Sequence, residues 1–409
     1  MTPPVSRSPL IPLDDALATL LAYAVPLAAT ETVSTFDADG RVLAQDAVSQ
    51  LQVPSFDNSA MDGYAMRCAD VADAALPVSQ RIAAGSAPEP LQPGSVARIF
   101  TGAPMPVGAD AVVMQEECAV QPDGTVHVLR PPQSGQCVRR AGEDVAKNAV
   151  VLSKGERLTP ASTALAASIG MDTLAVARRP RVALFSTGDE LVMPGDVAPQ
   201  DMRPGAIYNS NRFFLRALLL RMGCVVTDLG IVPDQREATV DALRAASQTH
   251  DLILTSGGVS VGEEDHVKAA VQALGQLHLW QLAIKPGKPF AYGTVAGSHF
   301  IGLPGNPVAS FVTFLLLVRP FVLRLQGATA VEPPAMQLPA HFDWPRADKR
   351  REFLRVRRNA AGGLDLFANQ SSGVLTSAAW ADGLVDTQPG QTIAWGDTVR
   401  FIPLAELQA

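Results

Sequence analysis

Four short segments of this 409-residue chain combine glycine with acidic or hydroxyl side chains: Ser186-Thr187-Gly188-Asp189-Glu190, Gly230 to Asp234, Ser256 to Asp265, and Pro304-Gly305-Asn306-Pro307. Glycine lets backbone N–H groups turn toward a ligand, and a helix starting nearby adds a field that favours an anion. Ser256-Gly257-Gly258 is the best such cradle in the chain. Carboxylates beside a phosphate site would repel the ligand unless they hold Mg²⁺ or accept hydrogen bonds from ligand N–H and O–H groups. Glu190, Asp234 and Asp265 are the candidates for that work. The alternative for each is a helix N-cap or first-turn acid.

A fifth segment, Ile284-Lys285-Pro286-Gly287-Lys288-Pro289, sets two lysines three residues apart in a frame of two prolines and a glycine. Proline limits backbone freedom, so the ammonium groups are held with less entropy loss. Lys285 and Lys288 suit a small dianion, molybdate or a phosphate; the alternative is a solvated turn. Three further clusters, Asp57 to Ala65 with Asp62, Phe100 to Pro104 with Thr101, and Arg139 to Asp144, read as turns on their own residues. No Ser-His-Asp or Cys-His pattern supports covalent hydrolysis. No G-x-x-x-x-G-K-[ST] appears, which excludes a P-loop enzyme.

The elements around these segments explain how they could meet. From Arg181, apolar strand runs alternate with amphipathic helices: strands at Arg181–Ser186, Cys224–Leu229, Asp251–Thr255, Phe290–Tyr292 and His299–Leu303, helices at Asn211–Met222, Gln235–Gln248, His266–Leu274 and Val308–Leu325. That alternation predicts a doubly wound α/β unit, an open and mostly parallel sheet with helices on both faces, over residues 179–327. Parallel strands would bring the four glycine loops to one edge, the carboxyl ends where such sheets bind ligands. Residues 1–48 and 146–178 read as a helical, linking domain, with Thr159 capping a helix from Pro160 to Gly170. Residues 49–145, rich in Pro, Gly and short β runs, read as an inserted β module. Residues 328–409 read as a small C-terminal β-barrel or sandwich.

The bulk properties set outer limits. Hydrophobic residues make up 47% and charged residues 18%, the profile of a folded globular chain. A net charge of −7 and a pI near 5.4 argue against a general nucleic-acid binder. Cys68, Cys118, Cys137 and Cys224 form no C-x-x-C pair, and with six scattered histidines they give no zinc-type spacing. Unclustered cysteines suit a reduced cytosol. The apolar run Ala16 to Ala29 follows Asp14 and Asp15 where a signal peptide would carry basic residues, so a capped amphipathic helix is the better reading. The run Val308 to Leu325 contains Arg319 and Pro320 and falls short of the ~20 apolar residues of a membrane span. The expectation is a cytoplasmic protein, away from membranes.

Seven motifs in order, DNSAMDGYA (57–65), FTGAP (100–104), RRAGEDV (139–145), STGDEL (186–191), SGGVSVGEED (256–265), KPGKP (285–289) and GLPGNP (302–307), resemble those of MoeA proteins and the gephyrin E domain. The resemblance covers most of residues 13–325 and less of the tail. It implies a four-part, L-shaped subunit in a homodimer. It implies a molybdopterin molybdotransferase: molybdenum passes from molybdate to the dithiolene of adenylylated molybdopterin, AMP is released, and Mg²⁺ is required. It also implies a site shared between chains, in which Asp62, Thr101 and Asp144 of one subunit's β module face Glu190, Asp234 and Asp265 of the other's α/β unit. Position by position, Ser256, Gly257, Gly258 and Asp265 match the pterin- or nucleotide-binding loop, Lys285 and Lys288 the anion-binding lysines, and Pro304, Gly305, Asn306 and Pro307 the GLPGNP loop. Arg351 and Ser377 are the expected further molybdate contacts in the tail. The sequence departs at Gln281, where some relatives carry a lysine. A contact with the molybdopterin adenylyltransferase is the expected partner interaction beyond the dimer.

Two competing readings remain on these residues. The α/β unit alone resembles the molybdopterin adenylyltransferase and CinA-type domains, and the β insertion and KPGKP favour the molybdotransferase over them. A non-catalytic scaffold, like the gephyrin E domain at receptor tails, would not need the full set of acids and lysines.

Overall fold

The computed structural model describes residues 10–258 and 266–408. At its centre stand strands so apolar that both faces must be covered. Leu252–Ser256 is buried at every residue, and Arg181–Thr187 at all but its first. The six-stranded sheet runs in the order Val225–Val232, Arg181–Thr187, Leu252–Ser256, Ser298–Leu303, Pro289–Val295, Gly275–Gln281. The first four are parallel and the last two join by antiparallel pairing. The strand Gly275–Gln281 is absent from the sequence-based reading: Gly275, its Cα against the Thr294 carbonyl, opens it without the usual flanking turn residues.

One face packs against the helices Asn211–Arg221 and Pro307–Leu325 through Leu215, Leu219, Phe314 and Phe321. The other packs against Arg236–Ser247 and His266–Leu274 through Leu243, Val267 and Val271. The helix from Pro307 passes through Arg319 and Pro320 instead of breaking there. A π-helical turn, Phe314–Val318, precedes them, and Pro320 falls in the first turn of the segment after it, where a missing N–H costs little. The Arg319 guanidinium donates to the carbonyls of Val331 and Glu406, each at 3.3 Å. Pro307–Leu325 is long and apolar enough to span a membrane by length and composition, but 94% of it is buried inside the protein, as a core helix.

Residues 10–48 divide between two neighbours. Helix Leu13–Tyr23 packs on the α/β unit, where Tyr23 stacks on Tyr292 with ring centroids 4.7 Å apart. It does not pack with the helix Pro160–Ser168, and its N-cap is Pro12, with Asp14 and Asp15 in the first turn. The rest does meet the later segment. Thr30–Ser34 pairs with Thr173–Ala177 and Ala47–Val48 with Val150–Leu152, around Leu43, Leu158, Ala166 and Leu174. These pairings make the unit as much β as helical. Thr159 caps Pro160–Ser168 as expected, its hydroxyl accepting from the Ser162 N–H at 3.2 Å. Between the two segments lies a module of short strands whose main sheet orders Val78–Ile82, Val96–Ile99, Gly63–Met66 and Ala111–Met114.

The tail forms a sheet in the order Ile284–Lys285, Arg351–Arg358, Gly383–Thr387, Thr398–Pro403, Met336–Pro339, with Leu364–Leu366 beside Arg351–Arg358. A single bridge from Ala340 to Leu364 links its two sides. One further antiparallel bridge joins Trp344 to Ile393. Its first strand comes from the lysine segment of the α/β unit: Ile284 pairs with Arg351 and Lys285 with Glu352, in parallel. The two units are thus joined by backbone hydrogen bonds at the residues that precede Pro286.

Candidate functional site

A cleft of about 980 Å³ lies at the carboxyl ends of the parallel strands. Its floor is Thr187, Gly188, Ser256, Gly257 and Gly258, with Glu190 and Asp234 at one side. The loop Pro304–Pro307 and the lysine segment form a second wall, and Arg350 with residues 370–373 of the tail unit closes it from across.

The floor is held by a small polar network. The Asn211 amide donates to Ser256 Oγ and to the Gly305 carbonyl, both at 2.7 Å, tying two strand-end loops together. Thr187 Oγ1 donates to Asp234 Oδ1 at 3.2 Å, which orients that carboxylate. Gly257 and Gly258 both adopt positive φ, +94° and +64°. The Gly257 N–H donates to the Leu303 carbonyl at 3.1 Å and is not free for a ligand. Gly258 and Gly305, which also line the cleft, have N–H groups without partners among the described residues. A Cβ at Gly258 would fall 2.5 Å from Val267 Cγ2 and 2.9 Å from Thr187 Cγ2. Gly258→Ala is therefore expected to lose about 1–3 kcal/mol of stability through strain at a left-handed position. Urea unfolding measures this, and an unchanged midpoint would show that the loop relaxes freely.

The cationic wall is built differently from a solvated turn. Lys285–Pro286 is a cis peptide. Gly287 takes φ +114°, with Thr313 Oγ1 where a Cβ would project. Lys285 Nζ lies 2.7 Å from Glu352 Oε1 and 3.4 Å from Asp348 Oδ2. Glu352 is buried and also accepts from the Trp344 indole N–H at 3.0 Å. Asp348 accepts three hydrogen bonds from Arg350, its backbone N–H, Nε and Nη2, each at 3.0 Å. The Arg350 guanidinium, above all, holds the Asp348 carboxyl well below the usual carboxylate range, with Lys285 adding to it. Lys288 is exposed and makes no ion pair among the described residues.

Of the residues singled out in the sequence, Glu190, Asp234, Ser256, Gly257, Gly258, Lys285, Lys288, Pro304, Gly305, Asn306 and Pro307 all line this one cleft. Asp265 lies outside the described residues. Asp62, Thr101 and Asp144 do not line it; they stand on loops of the β module. There Asp62 accepts from the Thr101 N–H and hydroxyl, both at 2.8 Å, which lowers its pKa. Two residues singled out in the tail, Arg351 and Ser377, do not line the cleft either. Arg351, the first residue of its strand, is committed to ion pairs with Asp386 (2.6 Å) and Asp14 (2.8 Å). Ser377 is fully buried, its hydroxyl donating to the Val374 carbonyl and accepting from Arg355 Nε. The tail residues that do line the cleft are Arg350, Gln370, Ser371, Ser372 and Gly373. The run Lys349-Arg350-Arg351 offered the right residue type, but the bend at Lys349 and Arg350 ahead of the strand distinguishes its members. Gln281 ends a strand opposite Pro289 and does not line the cleft.

Comparison with known proteins covers nearly the whole chain. A MoeA N-terminal region (domain I and II) matches residues 11–170, a "Probable molybdopterin binding domain" residues 183–324, and a MoeA C-terminal region (domain IV) residues 337–404. The molybdopterin molybdenumtransferase of Haemophilus influenzae is 44% identical over 329 residues, 80% of each chain. That of Nostoc sp. is 38% identical over 392 residues, 92% of this chain and 89% of the relative. The crystal structure of the molybdopterin biosynthesis moeA protein from Pyrococcus horikoshii OT3 superposes with a TM-score of 0.84 at 28% identity, over 97% of this chain and 100% of that one.

Proposed function

The chain belongs to the MoeA family, and from that membership we propose that it is a molybdopterin molybdenumtransferase working in the cleft between the α/β and tail units. The observation that carries this reading is the meeting of two unlike walls. A glycine cradle at the strand ends faces Lys285, Lys288 and Arg350 across one space. Such a space suits a substrate with a phosphate at one end and a reaction with a small oxyanion at the other.

The substrates in this reading are molybdate and adenylylated molybdopterin. Lys285, Lys288 and Arg350 hold molybdate by charge-assisted hydrogen bonds, and Gly258 and Gly305 direct N–H groups at the phosphates. Two molybdenum–sulfur bonds form at the dithiolene as one molybdate oxygen leaves with the two thiol protons as water; one water adds across the link between pterin phosphate and nucleotide, which breaks, and AMP leaves. The chain's own contribution is positioning and fixed charge, with no covalent intermediate on the protein. Mg²⁺ takes one or two carboxylates together with substrate phosphates and retained waters. Glu190 and Asp234, both on the cleft beside the cradle, suit such an ion, although no larger cluster of metal-ligating side chains occurs among the described residues. Bound there, the ion would offset charge developing on the phosphate. A homodimer in which a partner's Asp62, Thr101 and Asp144 complete the site, contact with the adenylyltransferase, and a cytoplasmic location belong to the same proposal. Pairing of the module with a second copy would give its acid-rich loops a use that this chain's own cleft does not.

Single-turnover AMP release tests the reading. Purified protein given adenylylated molybdopterin, Mg²⁺ and molybdate should release AMP, and much less without molybdate. Asp234→Asn, which keeps an acceptor for Thr187, should slow release about 100-fold while leaving thermal unfolding unchanged. Equal release with and without molybdate would overturn molybdenum transfer as the reaction. ATP-dependent formation of the adenylylated pterin would instead make the protein an adenylyltransferase.

A further inference from the structure

The cationic wall carries its own counter-ions. Lys285, Lys288 and Arg350 line the cleft, yet Lys285 already contacts Glu352 and Asp348, and Asp348 also binds Arg350. Three cations against two carboxylates leave a single formal positive charge for a dianion. A wall selected only for tight anion binding would omit those carboxylates, since each repels the ligand its neighbours attract. Burial alone does not explain them. Lys285 and Arg350 both keep access to solvent, and a solvated cation needs no partner. Glu352 moreover is anchored independently of the lysine by the Trp344 indole, so its charge is fixed in place.

We propose that Asp348 and Glu352 are positioning residues that set the cleft's grip on the oxyanion, holding Lys285 and Arg350 in place and keeping molybdate weakly enough bound to be handed on. The inference rests on the molybdenum-transfer reading above. The oxyanion must leave the lysines for the dithiolene sulfurs, and any grip stronger on bound molybdate than on the transition state lowers the rate of that step. The counter-ions reduce the ground-state hold while preserving geometry. In their absence two or three charges would bind molybdate, and equally sulfate, more tightly.

The test is equilibrium binding of molybdate alone, by calorimetry, to the full-length protein and to Asp348→Asn and Glu352→Gln, with single-turnover AMP release in parallel. Asparagine keeps an acceptor for Arg350 and glutamine one for Trp344, so each variant removes charge with little change of shape. Each should bind molybdate about tenfold more tightly and with a steeper salt dependence, as expected when one nearby charge is removed from a partly solvated site. The single-turnover rate at saturating molybdate should fall while half-saturation moves to lower molybdate, a pattern that lost packing does not give. Binding that is unchanged or weaker in both variants, with wild-type thermal unfolding, would overturn the inference while leaving molybdenum transfer intact. Failure of the unmodified protein to bind molybdate, while AMP release is also independent of it, would overturn both.

Discussion

Lys285→Met is expected to reduce molybdate-dependent AMP release by about 100- to 1000-fold, the usual consequence of removing one fixed charge from a reacting centre. It should also destabilise the protein. The Glu352 side chain is 3% exposed, and its nearest cation is Lys285 Nζ at 2.7 Å. Removing one partner of a buried pair leaves the other charge uncompensated, and that typically costs about 3–5 kcal/mol. Here the lysine is 39% exposed and Trp344 still donates, so about 1–3 kcal/mol is the appropriate range. The double variant Lys285→Met/Glu352→Gln separates the two effects. It should recover most of the stability, because the orphaned charge is gone, yet none of the turnover. Urea unfolding and single-turnover kinetics on the four members of this cycle measure both. Recovery of turnover in the double variant would show that Lys285 acts only as Glu352's partner.

Asp386→Asn should have the largest effect on folding. Its carboxylate is completely buried and accepts from Arg351 Nε at 2.6 Å and Nη2 at 2.7 Å, with Arg400 on the same oxygen as the second of these. Losing this charge would leave two guanidinium groups sharing a neutral amide inside the tail unit. A loss of about 3–5 kcal/mol is expected, measured as a drop in the urea midpoint. Asp14→Ala removes the other contact of Arg351, but Asp14 is 82% exposed, and its loss should cost no more than about 1 kcal/mol. Equal costs for the two variants would mean that Arg351 is held from its solvent side.

The contrast between Arg350 and Arg351 shows what could be read from the sequence and what could not. The four glycine loops were legible because strand–loop–helix alternation fixes which ends of a parallel sheet coincide, and Thr187, Asp234, Ser256 and Gly305 do converge. The lysine segment was legible because two prolines around a glycine are out of place in an ordinary surface turn. The start of the tail strand was not. Three basic residues follow one another at 349–351, and the strand begins only at the last of them, a boundary that no periodicity marks. That boundary separates a cleft arginine from one committed to Asp386. The strand Gly275–Gln281 was hidden for a similar reason: Leu274 and Gly275 look like a helix and its stop, whereas the chain goes directly into antiparallel pairing with Pro289–Val295. The two-residue strand Ile284–Lys285 is too short for any periodicity to reveal.

That short strand also limits how the molecule can move. Clefts between two units commonly open like a book, with the spine free to flex. Here the spine passes through the backbone of Lys285 itself, which is paired in register with Glu352. A second tie lies across the cleft, where the Val308 N–H donates to the Ser372 carbonyl at 2.9 Å. No backbone hydrogen bond joins Glu190 or Ile207 to the tail among the described residues, whereas both ties brace the side of the lysine and its carboxylate partners. A bulky substrate can thus be admitted at one side without loosening the charges that await it at the other.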